Sequence, residues 1–241
     1  MQEIFLKTKD NIKIAINHYS KKRDNVIIIC PGWFMTKDSK AFAKLSKNLF
    51  QYFDIISMDF RGHGKSSGFY TFTAKEENDL NTVTDFAKLE CKYKKIYLMG
   101  FSLGGALAII CAAKNSNINK VISISSPTEF SKIENHMYSP DAWFPTLFKK
   151  FEPKRWLTIR PSIIIHKKEK PIELVNKIKV PTLFIAGEKD PTVFPWHTEA
   201  LYKKAKCPKD YLLIKNARHA EDLYLDYPGI FIDKCIKWFQ N

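Results

Sequence analysis

Residues 12–18, IKIAINH, set Ile12, Ile14 and Ile16 against Lys13, Ala15 and Asn17. A period of two marks a strand with one buried face. Residues 3–8 predict a strand before it, joined through a turn near Asp10–Asn11. Further on the alternation disappears. VIIIC (26–30), DIISM (54–58), KIYLM (95–99) and KVISIS (120–125) are apolar runs, and TLFIAG (182–187) and YLLIK (211–215) resemble them. Strands apolar on both faces belong in the middle of a parallel sheet covered by helices. Helical spacing falls between these runs: Phe42, Leu45 and Leu49; Leu80, Val83 and Ala87; Ile232, Cys235, Ile236 and Phe239. Residues 103–114 are apolar nearly all round, which predicts a helix packed centrally. Strand and helix in alternation predict an α/β fold: a mostly parallel sheet of about eight strands with right-handed crossovers.

One interval breaks the rhythm. Residues 128–178 carry aromatics, prolines and weak helical patterns, with one apolar run at Ile163–Ile165. The interval falls between two sheet strands and reads as a small inserted cap. The expected division is therefore a core of residues 1–127 and 179–241 and a cap of residues 128–178.

Composition narrows the partners. The formal net charge is +14, yet only Arg23, Arg61, Arg155, Arg160 and Arg218 among the 39 basic residues are arginine. Arginine is the usual bidentate reader of phosphates and bases. The lysines spread along the chain, so a solvated basic surface is expected rather than a nucleic-acid interface. No run of 18 apolar residues occurs, so no membrane span is expected. The first residues, MQEIFLKTKDN, lack the basic-then-apolar order of a secretory signal. Cys30, Cys91, Cys111, Cys207 and Cys235 are odd in number and show no CxxC spacing. They read as reduced thiols of a cytoplasmic protein, with no metal expected.

The chemistry is concentrated around one serine. Gly100-Phe101-Ser102-Leu103-Gly104, followed by Gly105, sits between a predicted strand and a predicted helix. A serine on so tight a turn needs an unusual backbone angle, and small residues on either side relieve the crowding. A serine that merely capped the helix would not call for glycine at both flanks. The helix start also brings backbone N–H groups towards the serine oxygen.

With CPGWF (30–34), DFRGHGKSSG (59–68), GFSLGG (100–105), GEKDPTV (187–193) and ARHAE (217–221), the chain resembles the α/β-hydrolase superfamily. The resemblance runs from about residue 26 to 241 and points to a capped serine hydrolase of the esterase/lipase-like type. Eight of the nine glycines lie in the first four segments. The resemblance implies Ser102 as nucleophile, His219 as base and Asp190 as acid, in that fold's chain order. His63 is the rival base, although the Arg61–Gly64 turn is structural in similar proteins. Asp222, read as the cap of the final helix, and Glu188 are the alternative acids. His197 is expected at the surface, with the pocket wall as its alternative. His18, His136 and His166 have no motif around them.

The oxyanion donors implied are the backbone N–H groups of Leu103 and Trp33, with Phe34 as a lesser candidate. Pro31 stands where the family more often has histidine, which removes a side-chain brace of that loop. Phe34, Trp143, Phe144 and Trp196 are candidate pocket walls. Met137 and the cap aromatics Tyr138, Trp143, Phe144, Phe148, Phe151 and Trp156 suit either an acyl pocket or the cap's own core. Relatives that open epoxides or remove halides carry aspartate at the elbow, so Ser102 favours cleavage of an ester or thioester. The expected partner is a small-molecule ester or thioester with a hydrophobic part, and no cofactor is expected. Acyl transfer, C–C hydrolysis and slow or non-catalytic ligand binding on the same fold remain the alternatives.

Overall fold

Each of the six unalternated runs forms a strand of one sheet in the computed structural model, which describes residues 1–133, 136, 139–141, 152–162 and 167–241. The strands are β1 (Gln2–Lys7), β2 (Lys13–Tyr19), β3 (Asn25–Cys30), β4 (Asp54–Met58), β5 (Lys95–Phe101), β6 (Ile118–Ile124), β7 (Thr182–Gly187) and β8 (Lys209–Ile214). Their order is β1-β2-β4-β3-β5-β6-β7-β8. β2 is antiparallel to both neighbours, and every other pair is parallel.

The inner strands lack alternation because both faces are covered. Val26 and Ile28 of β3 join Leu98, Val121, Leu80, Val83 and Leu107 on one side. Ile27 and Ile29 join Tyr97, Met99, Phe42, Leu45 and Phe239 on the other. The helices concerned are α1 (Lys40–Leu49), α2 (Glu76–Asp85), α3 (Leu103–Lys114) and, at the end of the chain, Pro228–Gln240. A π-helical turn, Phe86–Glu90, extends α2 and keeps Ala87 on its buried stripe. Leu103 to Cys111 of α3 are all buried, which accounts for a helix without a polar face.

β2 departs from its alternating sequence. Ala15 and Asn17 are buried along with Ile14 and Ile16. The face expected to meet solvent is roofed by other loops. Ser66 Oγ accepts the Ala15 N–H at 2.8 Å, and the buried Lys37 ammonium donates to Asn17 Oδ1 at 3.0 Å. The polar Asn17 is therefore satisfied inside the protein rather than by water.

Between β6 and β7 the described residues form the 3₁₀ turn Phe130–Lys132 and the helices α4 (Pro153–Leu157) and α5 (Pro171–Leu174). Met137, Tyr138, Trp143, Phe144, Phe148, Phe151, His166 and the run Ile163–Ile165 lie outside the described residues. The arm 152–162 is pinned to the loop after β4. Arg160 N–H donates to the Gly62 carbonyl, Tyr70 N–H to the Arg160 carbonyl and Ser162 N–H to the Tyr70 carbonyl, each at 2.8 Å. Beyond β7 follow α6 (Pro195–Lys204), α7 (Glu221–Asp226) and α8 (Pro228–Gln240). The parallel register pairs Cys30 with Gly100 and Gly187 with Ile214. The C-terminal ends of β3, β5, β7 and β8 therefore share one edge of the sheet, where open α/β sheets gather their functional loops.

Candidate active site

The turn from β5 into α3 places Ser102 at φ 52° and ψ −120°. A side chain adopts such a backbone only where the surroundings enforce it. Here they do. A Cβ on Gly100 would stand 2.6 Å from the Gly105 Cα, and one on Gly104 would stand 2.8 Å from the Cys30 carbonyl carbon. The absence of side chains at these positions lets the helix start lie directly against the ends of β3 and β5.

Three residues far apart in sequence meet at this turn. Ser102 Oγ lies 2.9 Å from His219 Nε2, and His219 Nδ1 lies 2.7 Å from Asp190 Oδ2. The other Asp190 oxygen accepts the N–H groups of Thr192 at 3.0 Å and Val193 at 2.9 Å. A carboxylate only accepts, so Nδ1 is the protonated nitrogen and Nε2 accepts the serine hydroxyl. Asp190 and Ser102 are buried, whereas the His219 side chain keeps 17% of its exposure. The arrangement can move a proton from a hydroxyl to an imidazole whose cationic form a buried carboxylate would steady.

The loops that carry these groups are fixed by main-chain contacts. Lys189 N–H donates to the Ala217 carbonyl at 2.9 Å, joining the acid loop to the histidine loop. Ala220 N–H, next to His219, donates to Ser125 Oγ at 3.2 Å. Both Ser125 and Ala220 hold positive φ, 46° and 50°. Ser125 directly follows β6, and nothing in the sequence beyond the doubled serine after a strand marked it.

Two amides point to where negative charge could gather. Leu103 opens α3, so its N–H has no intrahelical acceptor. Among the described residues neither it nor the Trp33 N–H meets a hydrogen-bond acceptor. The Phe34 N–H is already engaged, donating to His63 Nε2 at 3.1 Å. That contact also answers the missing histidine at Pro31, because the loop is braced from the neighbouring turn instead. His63 is fully enclosed, edge-on to Trp33 at 5.3 Å and to Tyr70 at 4.5 Å. Burial pushes its pKa down to about 3. The rival base is thus held neutral, with its Nε2 occupied.

The remaining candidates fall elsewhere. His197 is buried, not at the surface. Its Nδ1 meets the Thr128 N–H at 3.2 Å and the Thr128 hydroxyl at 2.9 Å, and burial, helped by Lys132, lowers its pKa to about 4. The sequence misplaces it because the loop after β6, 69 residues away, supplies its cover. Glu188 is exposed and accepts the Asn216 N–H at 2.9 Å. Asp222 lies in the first turn of α7, a separate short helix before the last one, rather than capping α8. Trp196 is 46% exposed and stacks on His197. Phe34 is half-buried and meets Trp156 edge-on at 4.4 Å. Trp143 and Phe144 lie outside the described residues. The site also contains a pair the sequence did not signal. Arg155 of α4 donates to the Phe34 carbonyl and to Glu221 Oε1, the latter at 3.0 Å. Among the described residues no three His, Cys, Asp or Glu side chains cluster to hold a metal, and no helix is long and apolar enough to cross a membrane. All five cysteines are free.

Comparison with known proteins identifies the family and the fold. The family model described as alpha/beta hydrolase fold matches residues 25–154. Serine hydrolase BPHL of Homo sapiens is 25% identical over 232 residues, 83% of this chain and 77% of that one. A pimeloyl-[acyl-carrier protein] methyl ester esterase of Nitrosospira multiformis is 24% identical over 250 residues, 88% of this chain and 93% of that one. Among solved structures, an esterase of Pyrococcus furiosus superposes with a TM-score of 0.79 at 21% identity, covering 99% of this chain and 91% of that one.

Proposed function

Because the chain belongs to the α/β hydrolase fold family, we propose that it is a serine hydrolase cleaving a carboxylic ester or thioester through Ser102, His219 and Asp190. The observation that carries this reading is the unbroken run of contacts from Ser102 Oγ through both ring nitrogens of His219 to Asp190. Ser102 Oγ attacks the acyl carbon while its proton passes to His219 Nε2. The carbonyl oxygen becomes negative and takes the N–H groups of Leu103 and Trp33, neither of which has another claim on it among the described residues. His219 then returns its proton to the departing alcohol or thiol, leaving the acyl group on Ser102. A water, deprotonated by the same nitrogen, attacks that ester and releases the acid.

Residues 128–178 act as the cap in this reading, and Phe34 and Trp196 contribute walls for the hydrophobic part of the substrate. The relatives named as an ester hydrolase and a serine hydrolase support ester chemistry over other uses of the fold. The test is covalent labelling with a fluorophosphonate together with turnover of p-nitrophenyl esters of increasing acyl length. The expected result is one adduct on Ser102, and loss of both labelling and turnover in Ser102→Ala. Absence of an adduct on the parent protein would overturn the reading in favour of a ligand-binding member of the fold. Product esters formed in the presence of added alcohol would instead mark an acyltransferase.

A further inference from the structure

Among the described residues Arg155 is one of few cations withdrawn from solvent, with 4% of its side chain exposed, and its carboxylate partner Glu221 has 3%. A charge so placed is costly unless its partners are well arranged. The partners here come from the loop after β3 and from the first residue of α7, far apart in the sequence. Nε donates to the Phe34 carbonyl, 121 residues away, and Nη2 donates to Glu221 Oε1, 66 residues away, at 3.0 Å. Phe34 follows Trp33, and its own N–H is held by His63. The peptide groups on both sides of Phe34 are thus fixed, and the peptide before them, which carries the Trp33 N–H, is held through its Gly32 carbonyl by the Met35 N–H at 3.3 Å. Glu221 lies two residues beyond His219, just past the Ala220 amide held by Ser125.

We propose that Arg155 is a positioning residue whose guanidinium, reaching in from the inserted segment, holds the Trp33–Phe34 loop and the His219 loop at a fixed separation across Ser102. This rests on the serine-hydrolase reading above. The planar guanidinium serves its two acceptors from separate nitrogens, Nε and Nη2, set in a fixed fork, which the single nitrogen of a lysine ammonium does not reproduce. Attachment of the segment does not depend on this contact. Arg160, Ser162 and Tyr70 exchange main-chain hydrogen bonds, and Glu152 accepts the Lys40 N–H at 3.2 Å. Loss of Arg155 therefore leaves the arm in place and acts on the geometry of the reacting groups.

The experiment compares the full-length parent with Arg155→Met and Arg155→Lys. Circular dichroism and thermal melting first establish folding. The rate of Ser102 labelling by a fluorophosphonate is then measured, with kcat and KM for p-nitrophenyl acetate and p-nitrophenyl octanoate. Displacement of a loop by about 1 Å predicts a fall of ~10–100-fold in labelling rate and in kcat. The fall is the same for both esters, because an acetyl group is too short to sense a pocket wall, and KM stays within about threefold. Arg155→Lys restores little of it. Should Arg155→Met fail to fold, Arg155→Lys is judged by the same criteria. A labelled parent with a variant labelled equally fast, or a loss confined to the octanoate, overturns this proposal alone. A parent that takes no label overturns the hydrolase reading and this proposal with it.

Discussion

Lowering the pH from 7 to 4.5 should cost the fold about 5 kcal/mol through His63 and His197 alone. Both rings are buried, and burial holds their folded pKa values near about 3 and about 4, against an ordinary 6.5. The bonds to one nitrogen of each ring act in the same direction, whereas the Arg61 carbonyl beside His63 Nδ1 opposes it in part. His63 Nε2 accepts from the Phe34 N–H, and His197 Nδ1 accepts from the Thr128 N–H, so a proton on either nitrogen would set donor against donor. The sign follows from linkage. As pH falls below 6.5 the unfolded chain takes up protons that the folded chain refuses, and stability falls until the folded pKa is reached. Between pH 7 and 4.5 each histidine accounts for about 2 to 3 kcal/mol, a large part of a typical domain's stability. The assay is urea unfolding at the two pH values for the parent, His197→Asn and His63→Gln. The amide oxygens of Asn and Gln stand where Nδ1 and Nε2 accept, so the neutral-pH fold is preserved. Each variant should lose about 2 kcal/mol less than the parent on acidification. Carboxylates that also titrate in this window cancel in the difference. Equal losses in parent and variants would refute the reasoning.

Other outcomes follow from the same geometry. Ser102→Ala should retain its melting temperature and lose at least ~10³-fold in ester turnover, measured on p-nitrophenyl acetate. Asp190→Asn presents an amide to His219 Nδ1, which favours the tautomer with the proton on Nε2. The kcat should drop by about 10⁴ with the urea midpoint nearly unchanged. Gly104→Ala drives a methyl against the Cys30 and Pro31 carbonyls and should cost about 3 kcal/mol in urea unfolding.

Legibility in the sequence depended on the range of the contacts involved. The inner strands could be read because burial on both faces leaves a local record, an apolar run such as residues 26–30. The elbow could be read because steric crowding at Ser102 falls on its immediate neighbours, Gly100 and Gly104. Residues 190 and 219 were found through their order along the chain and the segments around them. What escaped notice is set by distant partners. Asn17 looks like a solvent-facing position until Lys37 and Asp38 cover it. His197 looks like a surface residue until Thr128 arrives from another loop. Nothing near Arg155 shows that its guanidinium ends between Phe34 and Glu221, because an arginine among lysines has the same local pattern whether it is buried or free.

The main-chain stitching of residues 160–162 onto the loop at 62–70 bears on how this enzyme class can be re-engineered. Exchanging the whole stretch between β6 and β7 for that of another protein would strand the Gly62 carbonyl and both main-chain groups of the fully buried Tyr70. Each such buried orphan costs about 1–3 kcal/mol, and Tyr70 stacks against Trp33. A graft that retained residues 152–162 and replaced only the stretch before them would leave that seam closed.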